Sequence, residues 1–206
     1  MGMTIIELMI SMAVVGTVVL GVVEAMRSST GSFRQSASNN ALDTRTGRGL
    51  NRIVDELSGA GMLQPPNMAS PANSAWVEYQ KNQGWKNGAV QWGPVTRLGW
   101  VMAPGELNNG LDDNNDGQID EGNLVRTENP LTAEARSVTL MRGIPEMFAG
   151  ETANGEDDNG NGLIDEPGLS FDLDGTTLNI RLCVSHRGPD GTLQFRQIET
   201  AYTVRN

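Results

Sequence analysis

Two stretches of this 206-residue chain hold side chains whose type and spacing suit the ligation of a hard metal ion. The run Asn109-Gly110-Leu111-Asp112-Asp113-Asn114-Asn115-Asp116-Gly117-Gln118-Ile119-Asp120-Glu121 aligns without a gap on Asn154-Gly155-Glu156-Asp157-Asp158-Asn159-Gly160-Asn161-Gly162-Leu163-Ile164-Asp165-Glu166, at an offset of 45 residues. Segments 106–122 and 151–166 carry six acidic residues each and no Lys or Arg. Calcium takes about six to eight oxygen ligands. A tightly wound loop can turn alternate residues inward, so an acid or amide at every second position offers such oxygens. The shared core D-x-N-x-[DN]-G-x-I-D-E has this form. Gly117 and Gly162 fall where the chain must turn sharply, and Ile119 and Ile164 are apolar residues that could pin each loop to a core.

The repeat resembles the calcium loop of EF-hand and dockerin-like proteins over about ten residues each time. That resemblance implies side-chain ligands at Asp112, Asn114 and Asp116 in the first loop and at Asp157, Asn159 and Asn161 in the second. Backbone carbonyls would come from Gln118 and Leu163, with Asp120 and Asp165 ligating directly or through water. A full EF-hand places a bidentate Glu at loop position 12, where this chain has Asn123 and Gly168. The Glu comes two residues earlier, so Glu121 and Glu166 are candidates to close the shell. No strong amphipathic helix flanks either loop. The expectation is one or two structural Ca2+ ions of modest affinity, about 10⁻⁴ to 10⁻³ M as in extracellular modules. Loop one is favoured, because Asp116 is charged where Asn161 is neutral. The plainer alternative is a pair of solvated acidic turns. Asp172 and Asp174, ahead of Gly175, are read as a hairpin turn rather than a third site.

These loops need a scaffold, and the chain starts with an unusual one. Residues Met3 to Val23 are apolar except for Glu7, and as a helix they span about 30 Å, one bilayer core. A lone acid in such a segment is costly and asks for a partner. A secretory signal is not expected, since no Lys or Arg precedes Arg27 and no Ala-x-Ala site closes the run. Gly2 followed by Met3-Thr4-Ile5-Ile6-Glu7 resembles the N-terminus of type IV pilins and pseudopilins. By that resemblance a prepilin peptidase cuts after Gly2, leaving residues 1–2 as a leader remnant and Met3 as an N-methylated first residue. Glu7 then pairs with the N-terminal amine of a neighbouring subunit, cancelling two charges in an apolar filament core. Within the group, the acidic loops and the ending Tyr202-Thr203-Val204-Arg205-Asn206 are most similar to PilW-type minor pilins.

The resemblance implies a subunit held in the bacterial inner membrane, with its globular part in the periplasm, and later built into an extracellular pilus. Its implied partners are major and minor pilins, the prepilin peptidase, the inner-membrane assembly platform and a tip adhesin. A J-type pseudopilin of type II secretion, a major filament subunit and a membrane-anchored calcium-dependent enzyme are the rival readings. The enzyme reading has no motif behind it. Cys183 is the only cysteine and reads as a packed or half-buried strand thiol; His186 is the only histidine and begins a turn. No Ser/His/Asp, Cys/His or zinc-spaced set is present, so no catalysis is expected. The net charge of −10 resides in the two loops; outside them 13 acids face 15 basic residues, and no basic footprint points to nucleic acid.

The remaining sequence predicts an α+β protein. Helix is expected to about Ser58, with Leu50, Ile53, Val54 and Leu57 on one face, a stop at Gly59-Ala60-Gly61, and loosening over the Ser-rich stretch 28–40. Gly31, Gly47 and Gly49 each weaken such a helix by about 1 kcal/mol, and Gly16 and Gly21 are small enough to ease close helix packing. A Pro-rich loop follows over 62–75. Strands are expected at 75–80, 89–93, 95–102, 136–142, 169–173, 176–185 and 192–204, with hairpin turns at Asp174-Gly175 and Asp190-Gly191. The division is a transmembrane or filament-core helix (3–26), an amphipathic second half (27–61) packed on the sheet, and a β-rich domain (62–206). That long helix laid on an antiparallel sheet is also the pilin "lollipop".

Overall fold

The computed structural model describes residues 4–64 and 73–204. Gly2 and Met3, most of the Pro-rich loop and the final Arg205-Asn206 lie outside the described residues. Helix α1 runs unbroken from Ile5 to Leu57, 53 residues, or about 80 Å at 1.5 Å per residue. It does not loosen over 28–40. The Thr30 hydroxyl there donates to the Met26 carbonyl at 2.8 Å, within the helix itself.

The chain divides into two compact units between Ala41 and Leu42. In the first, the side chains from Ile5 to Met26 are exposed, including Ile5, Ile6, Met9, Ile10, Met12 and Leu20. This helix is long and apolar enough to cross a membrane.

The second unit begins with the last turns of α1. There Leu42, Thr46, Gly49, Ile53 and Leu57 are buried, a 3.6-residue stripe facing the core. Complete burial of Ile53 and Leu57 contributes about 1.5–3 kcal/mol each. Gly49 has a packing role: a Cβ there would lie 2.2 Å from Met141 Sδ and 3.3 Å from Leu182 Cδ2. Glu56, on the flank of the same turn, accepts hydrogen bonds from Tyr79 (3.2 Å), Lys81 (3.0 Å) and Arg126 (3.1 Å). These contacts tie the helix end to two strands.

Nine strands follow among the described residues: β1 (Ala60–Gln64), β2 (Trp76–Lys86), β3 (Ala89–Trp92), β4 (Thr96–Met102), β5 (Glu121–Glu128), β6 (Arg136–Pro145), β7 (Leu169–Asp174), β8 (Thr177–Arg187) and β9 (Leu193–Thr203). All pairings are antiparallel. One sheet has the order β1-β2-β4-β5-β6, with β3 paired to the far half of β2; the other is β7-β8-β9. The β2–β3 turn is Asn87-Gly88, both at positive φ (54° and 78°), the two-residue geometry that suits strand twist. The expected hairpins at Asp174-Gly175 and Asp190-Gly191 join β7 to β8 and β8 to β9. β1 and β5 were not expected. The chain turns at Gly59 (φ 81°) and goes straight into β1.

Leu98, Leu124 and Ile144 from the first sheet meet Phe171, Ile180 and Leu182 from the second, with Ile53 and Leu57 of α1 in the same cluster. Cys183, read as a packed or half-buried strand thiol, is fully buried, because β8 is covered on both faces there. Burial pushes its thiol up to about 11.

Candidate functional site: two acidic loops and a carboxylate at the helix start

The acidic segments are the connections between β4 and β5 and between β6 and β7. Each is pinched at its neck by one backbone bond: Ala103 N–H to the Glu121 carbonyl at 3.0 Å, and Phe148 N–H to the Glu166 carbonyl at 2.8 Å. Left-handed backbone recurs at the 45-residue offset, at Gly105/Gly150, Gly110/Gly155, Asn115/Gly160, Gly117/Gly162 and Asp120/Asp165. The duplication is therefore one of backbone conformation as well as of sequence. It covers 103–121 and 148–166, starting earlier than the acidic cores alone indicate. Gly117 and Gly162, at φ 93° and 92°, occupy a conformation that costs any side chain strain.

Inside each loop the first, third and fifth positions fold the backbone over themselves. Asp112 accepts the amides of Asp116 (3.1 Å) and Gly117 (2.9 Å), Asn114 Oδ1 that of Asp116 (2.9 Å), and Asp116 that of Gln118 (3.0 Å). Asp157, Asn159 and Asn161 repeat this on Gly162 (2.8 Å), Asn161 (3.0 Å) and Leu163 (2.9 Å). Asp120 holds the amides of Asn109 and Gly110 at the loop's start, as Asp165 holds those of Asn154 and Gly155. The carboxylates at the ninth position thus face the first turn of the loop.

The expected anchoring by isoleucine is corrected. Ile119 and Ile164 are 41% and 53% exposed, whereas the preceding Gln118 and Leu163 are buried. The left-handed turn at Asp120 and Asp165 breaks the alternation before the chain re-enters the core at Glu121 and Glu166. Gln118 Oε1 accepts from the Ser185 hydroxyl at 2.7 Å, and Arg187 Nε donates to the Gly117 carbonyl at 2.6 Å, so loop one is fastened to β8 by polar contacts.

Sequence reasoning missed two residues. Glu106 and Glu151, at the start of each duplicated segment, are only 5% and 9% exposed. Glu106 Oε1 accepts the Asn114 amide N–H at 2.8 Å, and Glu151 Oε1 that of Asn159 at 3.0 Å. Glu121 and Glu166 approach the same asparagines from the other side and are 1% and 0% exposed. Asn114 Nδ2 donates to Glu121 Oε1 at 2.9 Å; Glu166 Oε2 accepts from Asn159 Nδ2 at 3.5 Å and from Asn161 Nδ2. The signal available was the Gly-Glu pair at 105–106 and 150–151, in register with the repeat.

One oxygen of each glutamate (Oε2 of Glu106, Glu121 and Glu151, Oε1 of Glu166) is buried without a hydrogen-bond partner. Leaving a buried acceptor unsatisfied costs about 1–3 kcal/mol, and more when it is charged. Burial pushes the Glu121 carboxyl above its ordinary range, with Asp116 and Glu106 pushing the same way and the Asn114 amide opposing. Such oxygens fit a hard cation. Among the described residues, no three His, Cys, Asp or Glu side chains form a metal-holding group by themselves. Each loop presents a glutamate pair with an asparagine between.

Glu7 sits at the other candidate site. Thr4 caps α1, its carbonyl accepting the Leu8 amide at 3.1 Å. Glu7 Oε2 accepts the Thr4 backbone N–H at 2.8 Å, while the Thr4 hydroxyl accepts the Glu7 N–H at 3.3 Å. This reciprocal capping box satisfies orphan amides of the first turn. Glu7 therefore has a local role, helix initiation, that its apolar surroundings alone did not suggest. No family model, curated protein or solved structure matches the chain.

Proposed function

We propose that this chain is a membrane-anchored structural subunit of a pilin-like filament, a minor pilin that primes assembly of a type IV pilus and caps it. The observation that supports this reading is Glu7, the sole acid among the exposed apolar side chains from Ile5 to Val23 at the start of a 53-residue helix. A plain anchor needs the apolar surface and, beyond capping its own first turn, has no use for the carboxylate.

In the free subunit the carboxylate caps its own helix through Thr4. In the filament the N-terminal amine of a neighbouring subunit takes over as its partner, so that two charges enter the apolar interior as a pair. The unpaired apolar face of α1 packs against the same face of other subunits. No bond is made or broken, and the subunit works by placement. The duplicated loops hold Ca2+ through the Asp112, Asn114 and Asp116 cluster and its Asp157, Asn159 and Asn161 counterpart. The ion supplies positive charge that stiffens two exposed connections.

The test is Glu7→Ala, with Glu7→Gln as the near-isosteric partner, in cells that assemble filaments. Both variants should insert in the membrane at wild-type levels and fall at least tenfold in sheared filaments. Wild-type incorporation of both would remove the assembly role and leave Glu7 as a helix cap alone.

A further inference from the structure

We propose that each metal site is closed by a pair of buried glutamates, Glu106 with Glu121 and Glu151 with Glu166, and that the second site is the weaker because Arg181 competes for it. The proposal rests on the calcium reading of the loops and deepens it, since Glu106 and Glu151 lie outside the acidic core that suggests calcium.

Three observations carry it. First, both glutamates of a pair flank a single asparagine, Asn114 or Asn159, which is also the third residue of the acidic core. They therefore face the point where the loop's side-chain oxygens gather. Second, each buries one carboxylate oxygen with no hydrogen-bond donor, in a loop that otherwise meets nearly every carboxylate with an amide. Asp112, Asp113, Asp116 and Asp120 all receive backbone N–H groups; among the described loop residues the carboxylate oxygens that are both buried and without a donor are those of the glutamates. An evolving turn that needed only shape would not retain two inward acids in both copies. Third, the copies differ in charge. Among the described residues Glu106 and Glu121 enter no ion pair, whereas Glu166 Oε1 lies 3.8 Å from Arg181 Nε. The fifth position is Asp116 in loop one and Asn161 in loop two. Loop one thus has one more charged residue among its ligand positions and no guanidinium paired with its two glutamates; Arg187 there meets the Gly117 carbonyl and Arg45 acts on Asp116 instead. Calcium is the ion of choice because every donor is a hard oxygen and each loop gathers enough of them for a high coordination number.

The experiment uses the full chain in detergent micelles, with Ca2+ alone as the probe. Binding is followed by calorimetry and by the melting shift between chelator and millimolar calcium. Wild type should show two sites, the tighter in loop one. Glu106→Gln keeps the oxygen that accepts the Asn114 amide, so its melting point in chelator should match wild type while calcium affinity at the first site falls about tenfold or more. Glu151→Gln does the same to the second site. Arg181→Gln is the discriminating variant, because it should tighten the second site, which a merely structural arginine would not do. Wild-type affinity in both glutamine variants overturns the closure by glutamates, and no gain in Arg181→Gln overturns the competition by Arg181, while calcium binding by the chain itself stands in either case. Absence of any calcium response in wild type overturns the calcium reading as a whole.

Discussion

Gly47 and Gly49 lie two residues apart in the same helix, and that proximity makes a controlled experiment. Either glycine replaced by alanine gains about 1 kcal/mol of helix propensity. At Gly47 a new Cβ meets nothing within 4 Å, so the whole gain should appear. At Gly49 the new Cβ would sit 2.2 Å from Met141 Sδ, 3.2 Å from Met141 Cε and 3.3 Å from Leu182 Cδ2. Met141 can swing, but it is buried in the core cluster and Leu182 closes the other side. Overpacking of this kind costs about 1–3 kcal/mol, which cancels or exceeds the propensity gain. The two variants should therefore differ by about 1–3 kcal/mol, with Gly47→Ala the more stable. For a unit of this size that is about 2–4 °C per kcal/mol in melting temperature. Urea titration of the full chain in micelles, followed by circular dichroism and corrected for equal m-values, reads the difference directly. If Gly49→Ala stabilises as much as Gly47→Ala, the helix does not approach β6 and β8 as closely as described, and the packing argument for Gly49 fails.

Two further outcomes follow from the same unit. Glu56 is opposed by burial but held below its ordinary range by Lys81, Arg126 and Tyr79, so its contribution is present above the unfolded carboxyl range and is lost as pH falls through the lower folded value. Glu56→Gln should cost about 1–2 kcal/mol at pH 7, between exposed and fully buried pairs, and should flatten the acid limb of stability measured from pH 7 to 3; an unchanged limb would refute the assignment. The buried Cys183 thiol, raised to about 11, should resist alkylation at pH 8 in the native chain and react at once in denaturant; native-state labelling would show that β8 opens.

The helix was legible because its signals agree. Leu50, Ile53, Val54 and Leu57 set one face, and Gly59 supplied the left-handed exit. The strands with clean alternation or a flanking Asp-Gly turn were legible for the same reason. β5 was not. It starts on Glu121, the last residue of an acidic loop, and its inward residues include Glu121 and Asn123, so apolar alternation never develops. β1 was hidden because Gly59-Ala60-Gly61 reads as a stop and says nothing of what comes next. The positions of the loops' acids were legible from spacing, but the division of labour among them was not. Spacing makes Asp120 and Glu106 equally acidic; only the backbone shows one turned to amides and the other buried with an oxygen to spare.

Helix α1 is continuous in hydrogen bonding yet divides between two units at Leu42. Its amides should accordingly obey two different exchange regimes. From Leu42 to Leu57 the side chains are locked into a core, so an amide there opens only when the sheets come apart. From Arg27 to Arg34 the helix is exposed and mostly polar, so its amides open by local fraying at a small fraction of that free energy.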